Sequence, residues 1–316
     1  MPCASPSLRW RVHFLGIEGS LMNTRFVGTI AVVSVAYLSS AVADEGEAKA
    51  TKKTFKATDG TAIVGEVSGK GDTALVFLHG WCGDREYWKH QVKPFAADYK
   101  IVAIDQAGHG ESGKDRKEWS VASLADDVAT VVKELELKRV VLIGHSMGGP
   151  VALLAAKKLP GVVVGVVGVD TLQNVEFKMP EEMTKGLLDR FEQDFKGTVG
   201  EGFISALVAE KSDPELKKWL SDRAVAQDKK MAIAHMASMS KLDQVKALKE
   251  AGVPVRCINS GGGFQFHRPT EVDANKKHGD FSLVTIDDVG HYPMLEKPKE
   301  FNDTLKKVLA EFAKKP

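Results

Sequence analysis

Short apolar runs alternate with amphipathic stretches along most of this 316-residue chain, and the pattern predicts strands separated by helices. Two runs flank Asp59-Gly60, so residues 54–57 and 61–67 are expected to form a hairpin. The other runs predict buried strands and lie at 74–78, 100–104, 140–143, 162–169, 253–259 and 283–286. Helical spacing occurs at 87–97, 124–135, 151–159, 271–276 and 301–312. We therefore expect an α/β fold with a mostly parallel, doubly wound sheet that has helices on both faces.

An abrupt switch from strand to helix occurs within residues 140–159. The apolar run there ends in a Gly-x-Ser-x-Gly motif at 144–148, centred on Ser146, and an Ala- and Leu-rich helical pattern follows at once. Glycines flank the serine because the tight turn is hostile to side chains. Such a turn lifts a serine hydroxyl clear of the sheet and above the first N–H groups of the helix, where developing negative charge is stabilised. The motif alone can arise by chance, but strand, serine turn and helix together indicate a nucleophile elbow.

The alternation of strands and helices lapses between residues 175 and 248, where long amphipathic stretches are rich in Met, Lys and Glu. We expect this segment to form a helical cap inserted after the sixth strand, which leaves 44–174 and 249–316 as the core. Most of its apolar stripes are expected to serve packing. A cap must still turn some apolar side chains towards the nucleophile, and methionine surfaces adapt to varied shapes. The pattern favours an apolar acyl or alcohol group over a strongly charged substrate.

The first 43 residues have the pattern of a leader. Arg25 precedes an apolar run at 26–38, and small residues then end in Ala41-Val42-Ala43. This order predicts a signal peptide cleaved near Ala43, and therefore export to the periplasm or secretion, followed by a charged lead-in at 45–53. The apolar run is too short to span a bilayer comfortably. Two alternatives stay open: an uncleaved membrane anchor, and a true start at Met22.

Composition narrows the range of partners. A net charge of +1 gives no reason to expect nucleic acid or an anionic membrane as a partner. We therefore expect a small-molecule substrate and no stable membrane association after leader cleavage. Cys3 belongs to the leader, and Cys82 and Cys257 adjoin strands that should be far apart in the sheet, so we expect both to be free and mostly buried.

No cofactor or metal is expected. A Gly-x-Gly-x-x-Gly pattern occurs at 108–113, but a dinucleotide-binding loop must open directly into a helix, and the polar segment 114–118 intervenes. No group of His, Cys or carboxylate residues has the spacing of metal ligands.

Four stretches together have the order and spacing of a known family. They are His79-Gly80-Trp81, the loop at 105–112, the elbow at 144–148, and Gly290-His291 with Glu296 and Pro298. The chain after its leader resembles the α/β-hydrolase fold family, in the cap-bearing serine esterase and lipase-like branch. The resemblance implies the α/β-hydrolase sheet with an inserted helical cap. It is specific for the fold and much less specific for the substrate.

Catalytic roles follow for the matching residues. Ser146 needs a base to take its proton, and the resemblance places that base at His291, in the loop after the last strand. The backbone N–H of Met147, directly after the serine, is one expected oxyanion donor. By resemblance, the backbone N–H of Trp81 is the other, with its indole at the edge of the pocket. His145 is a further candidate for substrate contact, although His79 and His145 also have the character of loop-bracing residues.

The acid that orients His291 is less obvious. In the commoner family pattern it follows the seventh strand, where this chain has Gly261-Gly262-Gly263 and no carboxylate. Some relatives carry it after the sixth strand, and Asp170 ends that strand here. An aspartate that closes an apolar run is costly unless a partner satisfies it. We therefore predict Asp170 as the third member, with a turn or helix cap as its alternative role. Asp273 is the second candidate, and a dyad without an acid is the third possibility.

These residues predict a serine hydrolase that acts on an ester, thioester or lactone of a small, largely apolar substrate through an acyl-enzyme. Two alternatives stay open. The same scaffold supports hydrolysis of activated C–C bonds and cofactor-free perhydrolysis, and a non-catalytic ligand-binding protein can retain the fold.

Overall fold

Residues 50–313 are described by a computed structural model, and they contain an eight-stranded sheet flanked by helices. The strands in chain order are β1 Thr51–Lys56, β2 Ala62–Ser68, β3 Ala74–Leu78, β4 Lys100–Ile104, β5 Val140–His145, β6 Val163–Val169, β7 Val255–Ser260 and β8 Phe281–Ile286. Their spatial order is β1-β2-β4-β3-β5-β6-β7-β8. β2 is antiparallel to both of its neighbours, and all other neighbouring strands are parallel. The mostly parallel sheet predicted from the hydrophobic pattern is confirmed.

The helices lie between the strands and after them. In chain order they are α1 Lys89–Phe95, α2 Val121–Glu134, α3 Gly148–Lys158, α4 Glu181–Gln193, α5 Ser205–Leu207, α6 Pro214–Val225, α7 Lys229–Ser240, α8 Gln244–Ala251, α9 Val272–Lys276, α10 Pro293–Glu296 and α11 Pro298–Ala313. A 3₁₀ turn at Arg85–Trp88 precedes α1, and a π-helical turn at Gly197–Ile204 precedes α5.

The core lies between the sheet and its helices. Every residue of β3 and β5 is buried, as expected for central strands covered on both faces. α3 packs against β5 and β6 and contacts α2 and α8, whereas α11 packs against β7 and β8 and contacts α1 and α10. The carboxyl ends of the central strands are therefore held in a rigid, closely packed layer.

The insertion between β6 and β7 carries the helices α4 to α8, which are joined by loops. α4 contacts α7, and the π-helical turn contacts α5 and α6. α8 differs from these helices because it packs on α3, in the layer beside the sheet. The cap boundary expected at Leu248 falls inside α8. α8 is amphipathic like the cap helices before it, so its sequence pattern does not distinguish the two locations.

The first strand begins earlier than the sequence predicts. Residues 45–53 were expected to be a charged lead-in, but β1 starts at Thr51, which pairs with Val67 of β2. β1 is an edge strand, and lysines on such a strand point to water and discourage pairing with other chains. The charge that indicated a lead-in is thus the charge of a protected sheet edge. The Asp59-Gly60 hairpin itself is confirmed.

The two cysteines within the described residues are free and buried, as predicted. Burial raises the pKa of the Cys82 thiol well above its usual range, so it stays protonated. No helix within residues 50–313 has the length and apolar character needed to cross a membrane. The predicted leader, its cleavage site near Ala43 and Cys3 lie outside the described residues.

Candidate active site

The carboxyl ends of the central parallel strands meet at one edge of the sheet, where ligands bind in open α/β sheets. The register aligns Leu78 with Gly144 and His145 with Val169. Ser146 therefore follows the end of β5 directly beside Asp170, which follows the end of β6. The loop after β8 begins at the same edge, because Ser260 of β7 is aligned with Ile286. This loop carries His291.

Ser146 occupies a strained turn between β5 and α3. Its φ angle is +52°, in the left-handed region that residues other than glycine seldom adopt. A Cβ atom on Gly144 would lie 2.1 Å from the Gly148 carbonyl oxygen, so the turn excludes any larger residue there. The Ser146 N–H donates to the Val169 carbonyl at 3.0 Å, and the Thr171 hydroxyl donates to the Ser146 carbonyl at 2.8 Å. The predicted strand–serine–helix geometry is present, with the side chain of Ser146 partly exposed.

His291 and Asp170 form a direct pair although they are 121 residues apart in sequence. The His291 Nδ1–H donates to Asp170 Oδ2 at 2.5 Å. Asp170 is 2% exposed, and its other oxygen accepts the Ser260 N–H at 2.9 Å. With Nδ1 bonded to a carboxylate, the Nε2 atom is the ring nitrogen that remains for proton exchange.

The other candidate acids are placed elsewhere. Asp273 lies in the first turn of α9 and is exposed, as are Asp287 and Asp288. Asp170 does not cap a helix or turn, because its two carboxylate oxygens accept from Ser260 and His291. Among the carboxylates considered from the sequence, it is Asp170 that the structure brings to His291.

Ser146, Met147, Asp170 and His291 all line one cavity of about 380 Å³. Ligand pockets of this size accept small molecules. Most of the cap residues in the cavity wall are apolar, and these apolar residues are Phe177, Met179, Leu187, Met236, Met239 and Leu242. Lys178 and Arg268, both exposed, also line the cavity. The arrangement places a serine hydroxyl and a carboxylate-bound imidazole in one largely apolar chamber.

The side chains of Trp81 and His145 are held by backbone carbonyls of the cap and of the histidine loop. The Trp81 indole N–H donates to the Ala232 carbonyl of α7 at 2.7 Å, and the ring stacks on Phe191 at a centroid distance of 5.2 Å. His145 is 1% exposed, and its Nε2–H donates to the His291 carbonyl at 2.8 Å. Among the described residues, neither side chain is part of the cavity wall. Trp81 instead joins the core to the cap, and His145 supports the loop of His291.

The turn that carries Trp81 nevertheless lies against the serine. A Cβ atom built on Gly80 would be 3.1 Å from the Cβ of Ser146 and 2.7 Å from Nδ1 of His145. Met147 follows the serine and directly precedes Gly148, the first residue of α3. The two backbone N–H groups predicted as oxyanion donors thus belong to residues next to Ser146, and their role stays a prediction.

Two loops beside the site are braced by buried histidines. His79 Nδ1–H donates to the Gly80 carbonyl at 2.8 Å, while its Nε2 accepts the Gln106 N–H at 2.9 Å. Burial lowers the pKa of His79, which keeps the ring neutral and suited to both bonds. The His145 ring is neutral for the same main reason, with the nearby His291 lowering its pKa further. The loop-bracing roles predicted for His79 and His145 are confirmed.

Asn259 is a site residue that the sequence reasoning missed. Its amide donates to the Thr171 carbonyl at 2.9 Å and to the Thr270 hydroxyl at 2.8 Å, and its oxygen accepts the Thr171 N–H at 3.2 Å. These bonds hold the chain directly after Asp170. The available signal was a buried polar residue near the end of the apolar strand β7, the same signal that singled out Asp170.

Comparison with known proteins identifies the family. Residues 75–304 match the alpha/beta hydrolase family, which is well over half of the chain. The chain belongs to the α/β-hydrolase family. The matches to its members and their structures make it a hydrolase of the α/β fold. Within residues 50–313, no group of three or more His, Cys, Asp or Glu residues is placed to hold a metal ion.

Proteins of known sequence and of known structure align with most of the chain. The dihydrolipoyllysine-residue acetyltransferase component of an acetoin cleaving system from Cupriavidus necator is 26% identical over 278 residues, which are 81% of this chain and 68% of that protein. A thermophilic esterase from Thermogutta terrifontis is 25% identical, with a TM-score of 0.70 over 84% of this chain and 99% of that one. An esterase from Exiguobacterium antarcticum has a TM-score of 0.74 over 82% and 100% of the two chains, and its 21% identity shows the shared fold.

Proposed function

We propose that this α/β hydrolase is a serine hydrolase that cleaves an ester, thioester or lactone of a small, largely apolar substrate through an acyl-enzyme on Ser146. The observation that carries the proposal is the shared cavity of Ser146 and the His291–Asp170 pair, with its 2.5 Å hydrogen bond. A nucleophile, a base and an orienting carboxylate in one chamber are the parts that acyl transfer requires.

In the first half-reaction, Ser146 Oγ attacks the carbonyl carbon of the substrate while His291 Nε2 takes the hydroxyl proton. The Asp170 carboxylate stabilises the imidazolium that forms. The oxyanion accepts hydrogen bonds from the backbone N–H groups of Trp81 and Met147. His291 then returns the proton to the leaving alcohol or thiol as the bond to it breaks, which leaves an acyl ester on Ser146.

In the second half-reaction, His291 Nε2 takes a proton from water, and the oxygen of that water attacks the acyl carbon. The second tetrahedral intermediate collapses, and His291 returns the proton to Ser146 Oγ. The products are the free acid and the regenerated serine. No step needs a metal ion or an oxidant.

The cap wall supports the substrate class. Methionine and leucine side chains from α4, α7 and the loop after it line the chamber, and burying an apolar acyl or alcohol group against them contributes roughly 0.8 kcal/mol per methylene. The volume of about 380 Å³ favours short and medium chains over long ones.

Labelling with a fluorophosphonate tests the proposal. Intact-mass measurement should show a single adduct on the wild type and none on Ser146→Ala. Ser240→Ala is the matched control, because Ser240 lines the same cavity but lies in α7, and it should label normally. A panel of chromogenic esters of graded chain length then ranks the acyl groups. Absence of labelling and of turnover in the wild type would reject the hydrolase mechanism in favour of a binding protein.

A further inference from the structure

The backbone of His291 is held from two directions. Its N–H donates to the Leu207 carbonyl of the cap at 2.7 Å, and its carbonyl accepts from His145 Nε2 at 2.8 Å. The cap and the end of β5 therefore both contact the main chain of the proposed base. The cap segment Leu207–Ser212 is thus bonded, through the Leu207 carbonyl, to the main chain that carries the imidazole.

The carboxylate of Glu296 joins the same two parts of the molecule. Glu296 is the last residue of α10, and it accepts the N–H groups of Gly290 at 2.9 Å and Tyr292 at 3.1 Å, which flank His291 on either side. It also accepts the Ala209 N–H at 3.0 Å and the Ser212 hydroxyl at 2.5 Å, both from the cap. All four donors are neutral, so each bond is charge-assisted by the carboxylate.

The cap segment lies directly on the histidine loop. A Cβ atom on Gly290 would be 2.4 Å from the Leu207 carbonyl oxygen and 2.5 Å from the Ala209 nitrogen. Only a glycine allows this approach, because atoms do not come so close without displacing one another. The contact is therefore made by backbone against backbone, and Glu296 closes it from the side.

We propose that Glu296 is a positioning residue that locks the cap segment Leu207–Ser212 to the loop of His291, so that the base is correctly placed only while this segment is docked. The inference rests on the proposed function, since it assigns His291 the role of base. The hydrogen bonds of the Glu296 carboxylate go to Gly290, Tyr292 and the cap, so it acts through the backbone on both sides of His291.

The proposal predicts a loss of rate without a matching loss of binding. Misplacement of a catalytic group by about 1 Å can cost roughly 100-fold in rate, so Glu296→Ala should lower kcat about 100-fold and leave KM nearly unchanged. Glu296→Gln should lose less, about tenfold, because its amide oxygen can replace Oε2, which takes three of the four bonds. Glu300→Gln is the matched control: Glu300 is an exposed acid at the start of α11 and should leave kcat unchanged.

Hydrogen–deuterium exchange distinguishes the proposed lock from a general loss of stability. In both Glu296 variants, exchange should rise together in residues 207–212 and 290–292, while the sheet strands keep their wild-type protection. The kcat of each variant is calculated per folded molecule, and the folded fraction is measured by circular dichroism. An unchanged kcat per folded molecule, or exchange that rises throughout the sheet, overturns the proposal.

The same measurements separate this proposal from the proposed function. If wild-type Ser146 fails to label with fluorophosphonate, the hydrolase mechanism fails, yet coupled exchange of the two segments in the Glu296 variants still tests the lock. If the wild type labels and turns over but Glu296→Ala matches it, the lock alone is wrong.

Discussion

Ser146 and Asp170 share an unusual backbone conformation at the ends of adjacent strands. Their φ angles are +52° and +42°, and each N–H continues the sheet ladder by donating to the neighbouring strand, at Val169 and Ile258 respectively. Positive φ at residues other than glycine costs roughly 1–3 kcal/mol, and it persists only where the surroundings enforce it. The cost is offset by the rigid sheet, and the result is that both side chains leave the strand direction at the edge where His291 lies.

Removing the Asp170 charge should cost most of the activity and little of the fold. Asp170→Asn keeps the shape but no longer stabilises the imidazolium or selects the required tautomer, a change worth about 10⁴-fold in kcat in serine proteases. We expect a loss of several orders of magnitude in kcat, with a small change in KM and in Tm. Steady-state kinetics with a chromogenic ester checks this.

Asp273→Asn is the matched control for that experiment, because Asp273 is exposed on α9. It should retain the wild-type rate. A nearly normal rate for Asp170→Asn would reject Asp170 as the acid. A large loss for Asp273→Asn would then reassign the acid to Asp273, whereas normal rates for both variants would show that Ser146 and His291 work as a dyad.

At the scale of elements, α7 both attaches the cap to the core and shapes the chamber. The Trp81 indole N–H donates to the Ala232 carbonyl near its start, and the Val121 N–H donates to the Ser238 hydroxyl near its end at 3.1 Å. Met236, between these attachments, and Met239, directly after the second, are one turn apart and line the cavity. A helix held at both ends presents its methionines at a defined distance from the serine.

Shortening Met239 should therefore shift the acyl preference of the enzyme. Met239→Ala removes three side-chain heavy atoms from the wall, which makes room for about two or three more methylenes at roughly 0.8 kcal/mol each. We expect kcat/KM for longer esters to rise at least tenfold relative to short ones. The matched control is Met183→Ala: Met183 is 58% exposed on α4 and should leave the ranking unchanged. An unchanged ranking in Met239→Ala would limit this methionine to packing.

For the whole molecule, a column of buried histidines makes stability depend on pH. His109 of the core stacks on His235 of the cap at a centroid distance of 5.4 Å, and His79 lies 4.9 Å from His109. Burial lowers the pKa of His235 to about 3, with Arg116 and His79 adding to the effect, and burial lowers that of His109 well below its usual range. Between pH 6.5 and pH 3 the unfolded chain binds a proton at His235 that the folded chain does not bind. The contribution of this ring to the free energy of unfolding is therefore fully present above pH 6.5 and is lost as the pH falls.

His235 should contribute about 2 kcal/mol to the difference in unfolding free energy between pH 7 and pH 5. His235→Gln removes this contribution. We therefore expect urea unfolding of the variant to show a correspondingly smaller difference in unfolding free energy between pH 7 and pH 5. His267→Gln, at a partly exposed position in the loop after β7, is the control and should behave like the wild type. If the unfolding free energy of His235→Gln differs between pH 7 and pH 5 by as much as that of the wild type, the His235 ring already binds a proton in the folded protein at pH 5.

Export is a second proposal for the whole chain, and it rests on the leader pattern alone. We expect the mature protein to begin at Asp44 and to be found in the periplasm or the medium, which mass sequencing of the native N-terminus would show. An intact terminus at Met1 or Met22 in the cytoplasmic fraction contradicts it, and an intact leader in the membrane fraction indicates an anchor.

Local pattern was enough to predict the strands and the elbow. The bounds of β3 and β4 agree with the hydrophobic runs at 74–78 and 100–104, because a buried strand needs an uninterrupted apolar run. Helix ends were less accurate: α2 begins at Val121, three residues before its apolar spacing, because the Ser120 hydroxyl caps it by accepting the Ser123 N–H. The four-residue α10 carries too few positions to show a period and was not predicted.

The sequence by itself determined the alternating strands and helices of an α/β fold and the tight strand–serine–helix turn at Ser146, because alternation, glycine spacing and strand length act within short stretches. The resemblance of four motifs implied the α/β-hydrolase family. Only the tertiary structure decided which groups meet. It brought Asp170 to His291, engaged the Trp81 and His145 side chains in hydrogen bonds to backbone carbonyls rather than in the cavity wall, and set Glu296 between the cap and the histidine loop. The direction of a side chain depends on hydrogen-bond partners that are often tens of residues away or more in the chain, and those partners become neighbours only when the sheet and the cap have packed together.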